Sequence, residues 1–230
     1  MFVALPTRIR RTLRWATPLL FAALWLAYLW ASTRPNSAQH TLLLDWGALT
    51  GGQALADTWH ALWSEGRGLR LLTALFLHAD WAHLLGNLVF LLIFGLPAER
   101  VMGPWRFLLL FLLGGAVANL AAVLVIGAPH RLVIGASGAV SAVIGAYLAL
   151  FPRARLGVVV PLGLFLEFVR APASLLIGIW ALLQIVFAYI GPAFGAVAWV
   201  AHVAGFAFGV LFALFVRAAV ARRLRMRSGY

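Results

Sequence analysis

The sequence predicts an all-α membrane protein, a bundle of six transmembrane helices with a membrane-interfacial first loop. Its 230 residues are 64% hydrophobic and only 10% charged. Several apolar runs reach about 17–25 residues, the length that crosses a hydrocarbon core. No polar segment is long enough to fold alone, so we expect one membrane domain over residues 15–216. A basic segment, residues 1–14, would precede it, and a basic tail, residues 217–230, would follow it.

The first of the six spans has an alternative interpretation as a signal peptide, with Arg8–Arg14 as its basic region and a cleavage point near Ala31. We favour an uncleaved helix because the apolar run is long, contains Trp25, Tyr28 and Trp30, and is followed by further spans. The predicted spans are Trp15–Ala31, Ala82–Pro97, Trp105–Gly127, Ser137–Phe151, Ser174–Ile190 and Trp199–Val216.

The connection between the first two spans, residues 32–81, is neither fully polar nor apolar enough to cross the bilayer. Tryptophans such as Trp46, Trp59 and Trp63 alternate there with charged residues such as Asp57 and Arg67. That mixture is typical of short helices lying in the headgroup layer. A loose extramembrane loop is the less favoured alternative, because nothing else would cover the tryptophans.

The basic residues are 18 arginines, with no lysine, and the net charge is +12. Because most of them flank apolar runs, membrane topology and anionic headgroups explain them better than a nucleic-acid partner. In the predicted topology, fourteen arginines fall on one side of the membrane and four on the other. The positive-inside rule therefore predicts a multi-pass protein of the inner (plasma) membrane with both termini in the cytoplasm. The four outer arginines are Arg34, Arg67, Arg70 and Arg131.

Polar residues of three predicted spans fall at one depth. Spans two, four and six run from outside to inside, so their first residues lie near the outer surface. Ser137 opens span four, and His202 lies about one turn into span six. His83 and Asn87 lie in the first turns of span two. This convergence is the strongest indication of a functional site.

Span four is also short. Its 15 residues from Ser137 to Phe151 make about 22 Å of helix, against a hydrocarbon core of about 30 Å. With Arg153 and Arg155 at the cytoplasmic face, its outer end stops below the outer surface. Irregular backbone at that depth needs protein or a water-filled cavity beside it. We therefore expect a cavity through which water reaches Ser137.

Ser137 and His202 suit nucleophilic hydrolysis. A serine hydroxyl is a poor nucleophile until a base removes its proton, and His202 is the candidate base. Faces of small residues at helical spacing would let spans four and six approach closely. These faces are Ser137, Ser141 and Gly145 on span four, and Ala201, Gly205 and Gly209 on span six.

The oxyanion of such a reaction needs hydrogen-bond donors. Ser137, at a helix start, offers free backbone N–H groups and the positive end of the helix dipole. His83 and Asn87 are four residues apart, hence on one helical face, and both carry side-chain donors. The alternative for each residue is structural, with the serine as packing filler, the histidine as a residue that only faces the interior, and the asparagine as a cross-link between helices.

The histidines have a rival use as metal ligands. His78 and His83 are five residues apart, not the four of a helical zinc pair, and no acid follows them in the helix. Asp80 would have to complete a site at the surface. The chain has no cysteine, so thiolate ligands and disulfides are excluded. We expect neither a metal nor another cofactor.

The candidate site resembles the rhomboid family of intramembrane serine proteases, in its basic six-helix bacterial form. Three pieces match in order, over a resemblance that covers roughly Asp45 to Phe215. They are His78–Asn87 (HADWAHLLGN), Gly135–Gly138 (GASG), and Ala201–Gly205 (AHVAG) with Gly209. The resemblance implies a Ser137–His202 dyad without a third, acidic member. It also implies that His83, Asn87 and the Ser137 backbone stabilise the oxyanion, and that substrate transmembrane segments are cleaved near their outer ends through an acyl-enzyme.

Other parts of the chain also relate to the family. Glu99-Arg100 resembles its structural acid–base pair, with an ordinary interfacial pair as the alternative. The resemblance implies that span five and the Gly191–Ala198 loop are the lateral gate and cap. Some relatives carry an aromatic residue one turn after the serine that stacks on the histidine, but Ser141 stands there in this chain. Orientation of the histidine must then come from elsewhere, with Trp199 and close packing at Gly205 as candidates.

The sequence therefore predicts an intramembrane serine endopeptidase. Its partners would be single-span membrane protein substrates and the lipid bilayer, with no nucleic acid; the oligomeric state is not predicted. The nearest alternative is a catalytically inactive rhomboid-like protein that binds transmembrane helices, which has no need to keep the serine, the histidine and the asparagine together. A small transporter would carry polar residues at the membrane midplane, whereas here they cluster near the outer surface.

Overall fold

A computed structural model describes residues 14–50, 60, 63–64, 66–126, 131–162, 165–190 and 199–228, and most of these are helical. The helices are α1 Ala16–Ser32, α2 Asn36–Trp46, α3 Arg70–Thr73, α4 Trp81–Met102, α5 Pro104–Val125, α6 Ser137–Leu150, α7 Ala173–Ile190 and α8 Trp199–Ser228. The strands are β1 Ala48–Leu49, β2 Leu132–Val133, β3 Arg155–Leu162 and β4 Phe165–Pro172.

Three helices in the described part of the chain are long and apolar enough to cross a membrane: α4, α5 and the Trp199–Arg225 part of α8. Three more are apolar but shorter, namely α1, α6 and the Ala173–Val186 part of α7. The protein is therefore a helical, multi-pass membrane protein. Each of the six predicted spans coincides with one of these helices, but the count of six crossings stays a prediction.

α6 is the central helix of the bundle. Every residue from Gly138 to Tyr147 is buried, with α4, α5 and α8 packed around the helix. Its 14 residues make only about 21 Å. The prediction that this span is short is confirmed. A helix enclosed on all sides can carry a serine to the inside of the bundle without exposing it to lipid.

α6 and α8 pack backbone against backbone. A Cβ atom added to Gly205 would collide with the carbonyl oxygen of Gly138, and one added to Gly209 would collide with that of Ala142. Glycine is the residue that permits such an approach between membrane helices. The predicted small-residue face of α8 is therefore confirmed at these two glycines.

The predicted contact face of α6 is partly wrong. The residues that meet α8 are Gly138, Ala142 and Gly145, whereas Ser137 and Ser141 line a cavity. Both sets consist of small residues at helical spacing, so residue size alone could not distinguish them. Gly145 was predicted correctly, whereas Ser137 and Ser141 face the cavity rather than the α8 backbone, and from there the Ser137 hydroxyl reaches His202.

α4 runs past the predicted end of span two at Pro97 and continues to Met102. Proline within a helix removes one N–H donor and clashes with the carbonyl of the preceding turn. Here a five-residue π-helical segment, Leu91–Gly95, ends two residues before the proline. The wider turn accommodates the proline ring, so the helix is not broken.

Glu99, near the end of α4, is fixed to the start of α1. Its side chain is buried, and its carboxylate accepts the backbone N–H groups of Ala16 at 3.0 Å and Thr17 at 2.9 Å. A carboxylate at this position satisfies amides that have no partner within their helix and complements the helix dipole. Glu99 therefore stabilises the first turn of α1, while the predicted pairing of Glu99 with Arg100 stays a prediction.

The first loop contains the short helices α2 and α3, as predicted, although their depth in a membrane is untested. The Thr73 hydroxyl donates to the Trp46 carbonyl at 2.6 Å, and β1 pairs with β2, the strand that precedes α6. The loop is therefore tied to the entrance of α6. Trp59 and Asp57 lie outside the described residues, as do most of the N-terminal segment and the Gly191–Ala198 loop.

Two features on the opposite side were not predicted. β3 and β4 form an antiparallel hairpin from Arg155 to Pro172, where the sequence suggested only a connection. α8 continues to Ser228, so most of the basic tail is helical. Arg223 within it donates to the Met102 carbonyl at 3.3 Å, which satisfies an acceptor at the end of α4.

Candidate active site

A cavity of about 260 Å³ lies where the N-terminal ends of α4, α6 and α8 meet, with α7 along one side. The helix arrangement brings together all four residues that the sequence selected. The cavity is lined by His83, Gly86, Asn87, Phe90, Ser137, Val140, Ser141, Ile144, Trp180, Gln184, Trp199 and His202.

The Ser137 and His202 side chains are in direct contact. Ser137 Oγ lies 2.8 Å from His202 Nε2, within hydrogen-bond range. Ser137 is the first residue of α6, and His202 lies in the first turn of α8. Because both side chains project from helix starts at the same end of the bundle, the close α6–α8 packing brings them together.

Gln184 is a site residue that the sequence interpretation missed. Its Oε1 lies 2.6 Å from His202 Nδ1, and the side chain is only 7% exposed. It comes from α7, so the imidazole is held between α6 and α7. The available signal was an amide in an otherwise apolar run, since polar residues within membrane helices usually face a partner.

Trp199 and Gly205, the two predicted sources of orientation for His202, lie on the same helix as His202. Trp199 meets the imidazole edge-on, with ring centroids 5.7 Å apart and planes at 88°, and Gly205 permits the close helix approach. Ser141 does not replace the missing aromatic residue. Its hydroxyl donates to the Ser137 carbonyl at 2.7 Å, within α6.

His83 lies beside the start of α6. Gly135 has φ +107°, and a Cβ atom added to it would lie 2.6 Å from His83 Cε1 and 2.7 Å from Nε2. Both the backbone conformation and the neighbouring ring therefore require glycine. The Gly135 N–H donates to the Ala74 carbonyl at 2.9 Å, which anchors this turn to the first loop.

Asn87 faces the same cavity but is partly engaged. Its Nδ2 lies 3.1 Å from His78 Nε2, and the Ala136 N–H approaches the same nitrogen at 3.4 Å. His78 lies before α4, outside the spans, where burial and, to a smaller extent, His83 lower its pKa to about 4. His78 therefore acts as a neutral acceptor beside the site.

The rival interpretation was a metal site formed by histidines. In the described part of the chain, no three His, Cys, Asp or Glu side chains are placed to hold an ion. The absence of a cofactor stays a prediction. His78 Nε2, in the rival interpretation a possible ligand, already faces two N–H donors.

The arrangement can move a proton and hold an anion. Nε2 of His202 is close enough to accept the proton of Ser137 Oγ. The first amides of α6 have no partner within the helix and point toward its start. With Asn87 and His83 opposite, a negative charge formed next to Ser137 would face several donors.

A family model for the Rhomboid domain matches residues 65–219 of this chain. The candidate rhomboid protease YdcA of Bacillus subtilis is 32% identical over 133 residues, 56% of this chain and 57% of that protein. Rhomboid protease GluP of the same bacterium is 38% identical over 96 residues, 41% of this chain and 18% of GluP. Inactive rhomboid protein 1 of Drosophila melanogaster is 35% identical over 81 residues, 35% of this chain and 6% of that protein. The chain therefore spans little more than half the length of the first relative, and far less of the other two.

Proposed function

This chain belongs to the rhomboid family, and on that premise we propose that it is an intramembrane serine endopeptidase. Ser137 is the nucleophile and His202 the general base. The observation that carries the proposal is the 2.8 Å separation of Ser137 Oγ and His202 Nε2 inside the cavity.

In the first step His202 Nε2 accepts the Ser137 proton as Oγ attacks the substrate carbonyl carbon. The carbonyl oxygen becomes an oxyanion, stabilised by the Ser137 amide, His83 and the free N–H of Asn87. Collapse expels the amine, which takes the proton from His202, and an acyl-enzyme remains. Water then attacks the ester while His202 accepts its proton, and Ser137 is regenerated.

The substrate class follows from the depth of the cavity. The site lies at the N-terminal ends of α4, α6 and α8, and the arginine distribution supports an outer position for these ends, with both termini in the cytoplasm. With six crossings of the plasma membrane, the peptide bond cleaved would lie in or near the outer end of a single-span substrate.

The alternative is a catalytically inactive rhomboid-like protein that binds transmembrane helices. One relative is named as inactive, so similarity alone does not separate the two functions. The protease and the binding protein are expected to differ in the reactivity of the Ser137 hydroxyl. A protease needs its hydroxyl activated, whereas a binding protein does not.

The test is labelling with a fluorophosphonate in detergent, together with cleavage of a single-span model substrate in liposomes. An activated serine displaces fluoride and forms a bond from Oγ to phosphorus, so the wild type should be labelled once per chain. Ser137→Ala should lose labelling and lower kcat by at least about 10⁴-fold.

Ser141→Ala is the matched control, because Ser141 lines the same cavity one turn later and bonds only to its own helix in the described contacts. We expect it to keep labelling and cleavage within about threefold, since such an intrahelical bond contributes little. A wild type that binds the substrate but is neither labelled nor active would favour the inactive alternative. Normal cleavage by Ser137→Ala would overturn the mechanism.

A further inference from the structure

α7 carries a buried amide, Gln184, in a stretch where the neighbouring residues of the chain face outward. Leu182, Leu183, Ile185 and Val186, on either side of it, are all exposed, as expected for residues in contact with lipid. Gln184 is turned inward, on the same stripe as the buried Ile177. A polar side chain inside a membrane bundle is costly unless it has a partner.

The partner of Gln184 is the ring nitrogen of His202 that does not face Ser137. Oε1 lies 2.6 Å from Nδ1, and Nε2 lies 2.8 Å from Ser137 Oγ. An amide oxygen only accepts hydrogen bonds, so the hydrogen of the neutral imidazole belongs on Nδ1. Nε2 then keeps its lone pair, which is what a base facing a serine hydroxyl requires.

We propose that Gln184 is a positioning residue, whose amide oxygen selects the Nδ1–H tautomer of His202 and holds Nε2 toward Ser137. The inference rests on the proposed function. Gln184 supplies, through a neutral amide on α7, the orientation and tautomer selection that an acidic third member supplies in a serine triad, without the charge of that member.

The other contacts of His202 do not supply this selection. Trp199 meets the ring edge-on, which restricts its tilt but does not distinguish one nitrogen from the other. Ser141 is bonded to the Ser137 carbonyl. Gly205 sets the distance between α6 and α8 through backbone packing. The hydrogen bond from Nδ1 is therefore the contact that fixes which nitrogen faces the nucleophile.

The activity test compares Gln184→Met, which keeps the length of the side chain but lacks the amide oxygen, with Gln184→Glu, which restores an acceptor. We expect Gln184→Met to lower kcat and the rate of fluorophosphonate labelling by about 10–100-fold, a part of the effect of a positioned general base. Gln184→Glu should recover most of that loss. Leu183→Met, an exposed neighbour on the same helix, should behave as the wild type.

The pH–rate profile provides a readout that a packing defect would not move. A carboxylate beside Nδ1 stabilises the imidazolium form, so the acid limb of Gln184→Glu should shift to higher pH. His83 is the other titratable side chain among the described residues that line the cavity, and it is the same in all variants. A Gln184→Glu profile that coincides with the wild type would count against the hydrogen bond.

¹⁵N NMR of histidine-labelled protein tests the tautomer without depending on activity, with His202→Gln assigning the resonance. The wild type should show hydrogen on Nδ1, and Gln184→Met a mixture of tautomers. Hydrogen on Nε2 in the wild type, or wild-type rates in Gln184→Met, would overturn the inference. If wild-type Ser137 is not labelled, the proposed protease function fails, while the NMR result still decides the role of Gln184.

Discussion

Gly205 of α8 lies directly against the carbonyl oxygen of Gly138 in α6. Gly138 follows Ser137, and Gly205 is three residues after His202. The helix contact is therefore within one turn of both candidate catalytic residues. Because the two backbones touch, the spacing of α6 and α8 sets the Ser137–His202 distance, and a larger residue at position 205 has no space to enter.

Gly205→Val should separate the two helices and break the Ser137–His202 hydrogen bond. We expect fluorophosphonate labelling to fall by at least about 10-fold and stability by about 1–3 kcal/mol, as for overpacking in other cores. Gly178→Ala is the control, because open space surrounds that glycine on α7. It should be neutral or slightly stabilising. Wild-type labelling of Gly205→Val would show that the glycine contact does not set the dyad.

Glu99→Gln should destabilise the bundle without altering the site. The amide retains one acceptor oxygen, but its NH₂ group would face one of the two α1 N–H donors that the carboxylate now satisfies. A loss of about 2–3 kcal/mol is expected for a buried group left without its hydrogen bond. Unfolding in mixed detergent–SDS micelles measures it. The same acid-to-amide change at exposed Asp45 should have no measurable effect, and equal losses in the two variants would contradict the role of Glu99.

The positions of Ser137 and His202 could be predicted because helix starts at a common depth depend only on span order and topology. Gln184 could not be assigned to His202 in this way. A lone amide in an apolar run indicates a buried partner, but the partner lies on another helix, and only the rotation of α7 about its axis identifies it. The sequence does not determine that rotation.

The errors in the fold have similar causes. Proline normally ends a helix, yet Pro97 lies inside α4, because the π-helical turn before it relieves the clash. The α6 contact face was predicted correctly at Gly145 and wrongly at Ser137 and Ser141, since small residues occur at both candidate sets of positions. In general, proline ends helices and small residues mark helix contacts. In this protein the surrounding packing decided whether the helix ended at Pro97 and which small residues of α6 meet α8.

Acidification should destabilise the protein through His78. Burial lowers its pKa to about 4 in the folded state from 6.5. Between these values the unfolded chain binds a proton that the folded chain does not, so stability falls as the pH drops from 6.5 toward 4. The full effect is up to about 3 kcal/mol. Unfolding free energies measured in detergent across this range should show the decline.

His78→Gln tests the source of that decline. Glutamine offers an acceptor oxygen to Asn87 and Ala136, the donors that now face His78 Nε2, but it does not titrate. We expect a flatter dependence of stability on pH than in the wild type. Asp80 and His83, the neighbouring groups, remain in both proteins, so equal slopes would exclude His78 as the source of the decline.

Asn87→Ala should slow catalysis more than its effect on stability explains. It removes a cavity-facing donor, and loss of one oxyanion donor costs about 10²–10³ in kcat. Asn119→Ala is the matched control, because Asn119 is also a buried asparagine that donates through Nδ2, at 2.9 Å to the Leu71 carbonyl, away from the cavity. Each variant should lose about 1–3 kcal/mol of stability from a buried hydrogen bond.

With kcat normalised to the fraction of chains labelled by fluorophosphonate, only Asn87→Ala should be slow. Equal normalised rates would leave Asn87 with a structural role through His78, and the oxyanion would then depend on the Ser137 amide and His83.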